Sequence, residues 1–164
     1  MTDMADRSRK FLAVSDETEE CITALLFAAM RAKAVGAGLV ILRCAKIPGM
    51  GGWIGLDRDI SQDAVDVARL KVTQHADVVE ARTGVKPEIV ISEDESVDAI
   101  RRLVDGDLAI KVLILAAGSG RMGPGPLVSR LAKGKPIAAR PIAVTVIPGD
   151  LTDGQLDEIG GLTS

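Results

Sequence analysis

The stretch of this sequence whose spacing best suits ligand chemistry is Ala117-Gly118-Ser119-Gly120-Arg121-Met122-Gly123-Pro124-Gly125. It follows the apolar run Lys111-Val112-Leu113-Ile114-Leu115 and precedes Pro126, which fits the first position of a helix because its missing N–H costs nothing there. A glycine-rich turn feeding a helix start offers free backbone N–H groups and the positive end of the helix dipole, which suits a phosphate. Glycines allow the close approach, and Arg121 adds a positive charge. The plain alternative is a tight turn that binds nothing.

Other reactive residue types are placed less tellingly. Asp16 follows Val14-Ser15 and reads either as a ligand contact or as a helix cap, since Asp16 and Glu19 have capping-box spacing. Ser119 has no histidine near it in sequence, so it is not read as a nucleophile. His75 lies mid-helix without a nearby Cys or Ser and reads as a surface or half-buried helical residue. Glu93-Asp94-Glu95 precedes a helical pattern, where negative charge offsets the dipole. Cys21 and Cys44 each sit in apolar runs and read as buried free thiols. They form no CxxC pair and no metal spacing with the single histidine. No catalytic group and no metal site is expected.

The elements that must position these residues alternate. Short strands are expected at Phe11–Val14, Leu39–Leu42, Glu88–Ile91, Lys111–Leu115 and Ile142–Ile147. Between them lie a helix from Asp16 to Gly36, one from Ser61 to Thr83, a shorter one around Val97–Val104 and one opening at Pro126. Ile47–Asp59 is glycine-rich, reads as a loop and carries Trp53, which packs over the domain or acts as a lid. The order β-α-β-α-β-α-β-α-β with doubly apolar strands predicts α/β architecture: a single Rossmann-like domain, a five-stranded parallel sheet and helices on both faces. The natural winding reversal gives strand order 3-2-1-4-5, and ligands bind at such a reversal. Residues 1–9 read as an N-terminal tail, 10–148 as the domain and 149–164 as a loosely attached acidic tail.

Composition bounds the function. The chain has 164 residues, 47% hydrophobic and 26% charged, with net charge −3. That is one soluble globular domain. Aromatics are 2% and the pI is about 5.2, the wrong balance for binding nucleic acid. No run approaches a membrane span and no signal-peptide core opens the sequence, so no membrane partner and a cytoplasmic location are expected.

Residues 10 to 148 resemble the universal stress proteins. Phe11–Asp16 resembles that family's first strand ending in an Asp near adenine and ribose, with Val14 and Ser15 beside it. Leu39–Cys44 resembles its second strand, with Cys44 at an adenine-contacting place. Leu115–Gly120 resembles its fourth strand running into the phosphate loop. The resemblance implies a nucleotide-binding signalling or stress-response module without efficient catalysis. Its adenine nucleotide (AMP, ADP or ATP) would be held by Val14, Ser15, Asp16, Cys44, Ala117, Gly118, Ser119, Gly120, Arg121, Gly123, Gly125 and Ser129. The family pattern Gly-x2-Gly-x9-Gly-Ser/Thr is shortened here. Gly120-x2-Gly123 is present, but only Pro124 precedes Gly125, and Pro126 stands where a hydroxyl is usual. Ser129 is the nearest substitute, and AMP or ADP is expected to bind as well as ATP.

Two alternatives are a degenerate, ligand-free member acting through protein contacts and a nucleotidyltransferase-like enzyme. The segment Leu115–Gly123 with Gly134-Lys135-Pro136 is similar to the signature of the latter. A homodimer through the fifth strand is also expected (Ile142, Val144, Val146), because that edge is β-branched and uncharged. Family members often pair through this strand. The alternative is that residues 151–164 fold back over the edge.

Overall fold

In the computed structural model, residues 9–45 and 57–161 are described. Trp53 and most of the Ile47–Asp59 segment lie outside them. Five strands form one parallel sheet: β1 (Lys10–Ser15), β2 (Gly38–Cys44), β3 (Glu88–Ser92), β4 (Ile110–Ala117) and β5 (Ala143–Pro148). Their order is β3-β2-β1-β4-β5, the expected 3-2-1-4-5, all parallel. Helices α1 (Cys21–Val35), α2 (Asp57–Thr83), α3 (Ser96–Gly106), α4 (Pro126–Ala132) and α5 (Asp153–Gly160) complete the chain.

The two-residue period of the strands sorts side chains into two cores. Ala13, Leu39, Ile41 and Ile114 face α1, α2 and α5, packing on Leu25, Met30, Val72, Val79 and Leu156. Leu12, Val14, Val40, Leu42, Leu113 and Leu115 face the opposite layer, packing on Ile100, Val104, Leu127 and Leu131. Helix α1 lies deepest: ten of its fifteen residues are buried, which accounts for its alanines and for the absence of a polar stripe. Gly36 ends it in the left-handed conformation (φ 71°), as its position in the sequence predicts.

Three boundaries differ from expectation. The Asp16/Glu19 capping box does not form; α1 starts at Cys21 after Glu20, with no side-chain cap. Asp16 Oδ1 instead accepts from the Thr18 N–H at 2.7 Å and from the Thr18 hydroxyl, a local turn that competes with helix. Helix α2 begins at Asp57, so its first turn lies in what reads as loop. Residues 150–161 also carry an ordered element. Thr152 and Gln155 form a reciprocal capping box that starts α5, and Arg82 of α2 pairs with Asp153 and Asp157 at 2.9 and 2.8 Å. Leu156 is 2% exposed against α1. This helix docks on the α1 layer, and among the described residues no strand pairs beyond β5, where Val146 is 43% exposed.

Replacing Leu156 by Ala should therefore cost about 2–4 kcal/mol, the usual loss for emptying a buried leucine site. Urea denaturation checks this; a loss within about 0.5 kcal/mol, the range of surface changes, would show that α5 is not part of the core.

Candidate functional site

The winding reverses between β1 and β4, so the chain segments leaving those strands diverge and leave a cleft. A recess of about 100 Å3 lies there, walled by Val14, Asp16, Thr18, Glu20 and Cys21 on one side and Ala116, Pro124, Gly125, Pro126 and Val128 on the other. The juxtaposition expected from sequence is thus present: Asp16 faces the end of the glycine-rich loop. The loop is closed on itself by Gly118 N–H to Pro124 carbonyl (3.2 Å) and Gly123 N–H to Gly120 carbonyl (3.1 Å). Gly123 and Gly125 have φ of 80° and 105°, which explains why only glycine serves at both. Pro126 is the first residue of α4.

Of the residues picked from sequence, Val14, Asp16 and Gly125 line this recess. Ser119, Gly120 and Arg121 stand exposed on the loop, and Ala117 spends its carbonyl on Gly149 N–H at 2.9 Å. Gly118 is tightly enclosed: a Cβ there would lie 2.9 Å from both Glu20 Oε1 and the Gly123 carbonyl. Ser129 sits half-buried in α4, its N–H bonded to Gly125 carbonyl, and does not line the recess. Glu20 was not singled out from sequence, yet its carboxylate abuts the loop. The electrostatics are divided. Asp16 and Glu20 wall the recess, whereas residues 108–149 contain six Lys or Arg and no Asp or Glu.

A larger cavity, about 410 Å3, adjoins the recess through Val14, Asp16 and Ser96. It lies between the carboxyl ends of β1 and β2 and the first half of α2, lined by Ser15, Glu17, Arg43, Cys44, Ala64, Val67, Ala68 and Lys71 among others. This volume is in the range that holds small ligands. Ser15, Asp16 and Cys44 thus meet at one cavity.

Sequence spacing missed the polar cluster behind it. Ser15 and Arg43 are register partners on neighbouring strands and project to the same face. Both are buried, at 1% and 4% exposure. Arg43 Nη1 donates to Ser15 Oγ at 3.1 Å and to the Asp16 carbonyl at 2.9 Å, and Nη2 pairs with Glu17. A guanidinium only donates, so the Ser15 hydroxyl accepts from it and gives its own proton to His75 Nδ1, 2.7 Å away. His75 is half-buried, as read, but its Ser partner comes from sixty residues earlier in the chain, where local spacing is blind. Burial, and secondarily the Arg43 charge, hold the His75 pKa below its ordinary 6.5. Cys21 and Cys44 are free thiols. Burial pushes Cys21 up to about 11 and raises Cys44 as well, so neither is a thiolate at neutral pH.

Solved structures of universal stress proteins share this architecture. UspA from Lactobacillus plantarum matches with a TM-score of 0.67 at 20% identity, over 86% of this chain and 98% of that one. A universal stress protein in complex with cAMP matches at 0.56 and 16%, over 87% and 98%. The universal stress protein from Archaeoglobus fulgidus in complex with dAMP matches at 0.53 and 20%, over 83% and 95%. The sequence itself matches no family model and none of the curated proteins. The fold is that of the universal stress proteins, as a single α/β domain. Among the described residues no helix is long and apolar enough to cross a membrane.

The His75 environment predicts a pH dependence. Because the folded pKa is depressed, the unfolded chain takes up this proton first as pH falls. The contribution is complete above about pH 6.5 and is lost as pH drops through the folded value. His75→Asn keeps an acceptor for Ser15 and should flatten this slope. Urea midpoints of the two proteins from about pH 7.5 to about pH 5 check it; parallel slopes would assign the pH dependence elsewhere.

Proposed function

We propose that the protein is a nucleotide-sensing module that binds an adenine nucleotide at the β1/β4 cleft and signals as a homodimer without efficient catalysis. The observation that carries this reading is the facing of Asp16 and the Gly118–Gly125 loop across the cleft, in a fold whose similar structures include complexes with cAMP and dAMP. The phosphates lie on the loop and the start of α4, where N–H groups and the acid-free stretch 108–149 favour an anion. The recess alone is too small for a nucleotide; its shared wall with the larger cavity lets the base extend toward Asp16 and Cys44. The single histidine, His75, is engaged with Ser15 behind β1 rather than turned to the loop. We read the protein as a stress-response component on the same resemblance and, as the sequence reading expects, as cytoplasmic.

The second reading is a ligand-free member acting through protein contacts. It is favoured by the Asp16 and Glu20 carboxylates in the recess and by the shortened loop. The transferase reading loses ground, because its signature belongs on a first strand and here follows β4.

Two measurements test the proposal. AMP should bind at least as tightly as ATP, because Pro126 and the missing loop residues remove donors worth about 1.5–3 kcal/mol each toward a γ-phosphate. Calorimetry reads this directly. ATP preferred about tenfold would mean other groups hold the γ-phosphate, and no binding of either favours the ligand-free reading.

Light scattering should report about twice the 17.2 kDa chain. Val146→Lys should shift the mass toward one chain, since this exposed residue of β5 can carry a charge without disturbing the core. A mutant that remains fully dimeric places the interface away from β5.

A further inference from the structure

The sheet has a second edge, at the other end of the strand order from β5. Among the described residues no strand pairs beyond β3. The Ser92 carbonyl accepts from Ala45 N–H on the β2 side at 2.7 Å. Parallel ladders alternate, so Glu88 and Val90 also turn their backbone groups to β2, while Ile89 and Ile91 turn theirs to the free edge. Ile89 is 38% exposed there. Beside this edge, on the α3 face of the sheet, runs a groove of about 510 Å3. Its floor is Leu42, Val90, Ala99 and Leu103, the margin of the second core. Acids stand at both ends. Glu88 and Asp107 share Lys10, at 3.0 and 2.8 Å. Glu93 and Asp94 stand with Arg102, whose guanidinium reaches Asp94 at 3.0 Å. Each end thus sets two carboxylates against one cation. Residues 88–107 as a whole hold seven Asp or Glu and two Arg.

We propose that the β3 edge and this groove bind an extended cationic segment of a partner protein, which adds to the sheet as a sixth strand. Its backbone pairs with the outward groups of Ile89 and Ile91. Its apolar side chains enter the groove over Val90 and Leu103, and its Lys or Arg side chains meet the carboxylates at the two ends. In strand addition the main-chain bonds supply affinity, and the pockets beside them supply the choice of sequence. The excess of acid turns an acidic strand away. The surface goes beyond the nucleotide reading and does not rest on it. The groove shares no lining residue with the β1/β4 recess or with the cavity beside it. It also stays free when β5 pairs with a second copy.

Titration of the full chain with a capped hexapeptide of alternating lysine and valine, followed by amide NMR, tests it. Shifts at Ile89, Val90, Ile91 and Leu103 are expected at millimolar peptide, and their absence overturns the proposal. The same peptide with glutamate for lysine should bind about tenfold more weakly, and so should one N-methylated at every residue, which keeps the side chains and loses the donors. Equal binding by the glutamate peptide removes the charge argument, equal binding by the methylated one removes the strand, and either overturns the proposal. Ile89→Pro deletes an outward N–H, leaves the pairing with β2 in place and should weaken binding about tenfold. Arg102→Gln, at a side chain 79% exposed, takes a like charge from the rim and should tighten binding about threefold, the scale of surface ion pairs. If Ile89→Pro does not fold, Arg102→Gln decides: no gain there places the peptide elsewhere. Shifts of the β3 amides that grow with protein concentration, without peptide, give the edge to a second copy and overturn the partner.

Discussion

A guanidinium buried between apolar layers costs several kcal/mol unless every donor finds an acceptor, and the upper end of this fold is organised by that requirement. Arg43 draws the Ser15 hydroxyl, the Asp16 carbonyl and the Glu17 carboxylate to one point. Those are three consecutive residues at the exit of β1. Their fixed geometry sets where the chain turns, delays α1 until Cys21 and aims Asp16 at the β4 loop. Through Ser15 the same array reaches His75 and pins α2 to the sheet. The cavity exists because α2 is held there by a polar strut while small alanines line the neighbouring wall.

The second constraint is backbone conformation on the opposite bank. Positive φ at Gly123 and Gly125 folds the loop tightly onto Gly118, and the carboxylate of Glu20, the residue before α1, packs on it. Such a loop is short and self-bonded. It has N–H groups to offer a compact anion, and acids nearby that oppose a large one. Its character follows from the abbreviated glycine spacing as much as from the fold.

The sheet order, both cores and the meeting of Asp16 with the glycine loop were legible in the sequence, because apolar runs and helical periodicity report burial directly. The α1 start was not: Asp16 has good capping spacing, but Thr18 competes for its carboxylate more locally. Helix α5 was obscured by the acidic character around it, although Thr152 and Gln155 carry a capping-box signal that identifies it. The Ser15–His75–Arg43 array was invisible to local spacing. Once the β1/β2 register is known, the pairing of Ser15 with Arg43 follows from the pleat; the approach of His75 depends on how α2 crosses the sheet, which no short window encodes.

The docking of α5 on α1 also has a temporal side. Helix α1 is almost wholly buried, and one of its flanks is covered by Leu156 and by Gly160 set against Met30. During synthesis the chain is made from the other end. The central helix of the domain therefore emerges early and keeps a naked apolar flank until the last of the described elements arrives. The sheet is able to assemble before then, but the layer over α1 is closed only at the end. In the interval between those two events this flank of α1 stays open to the hydrophobic surfaces of its neighbours.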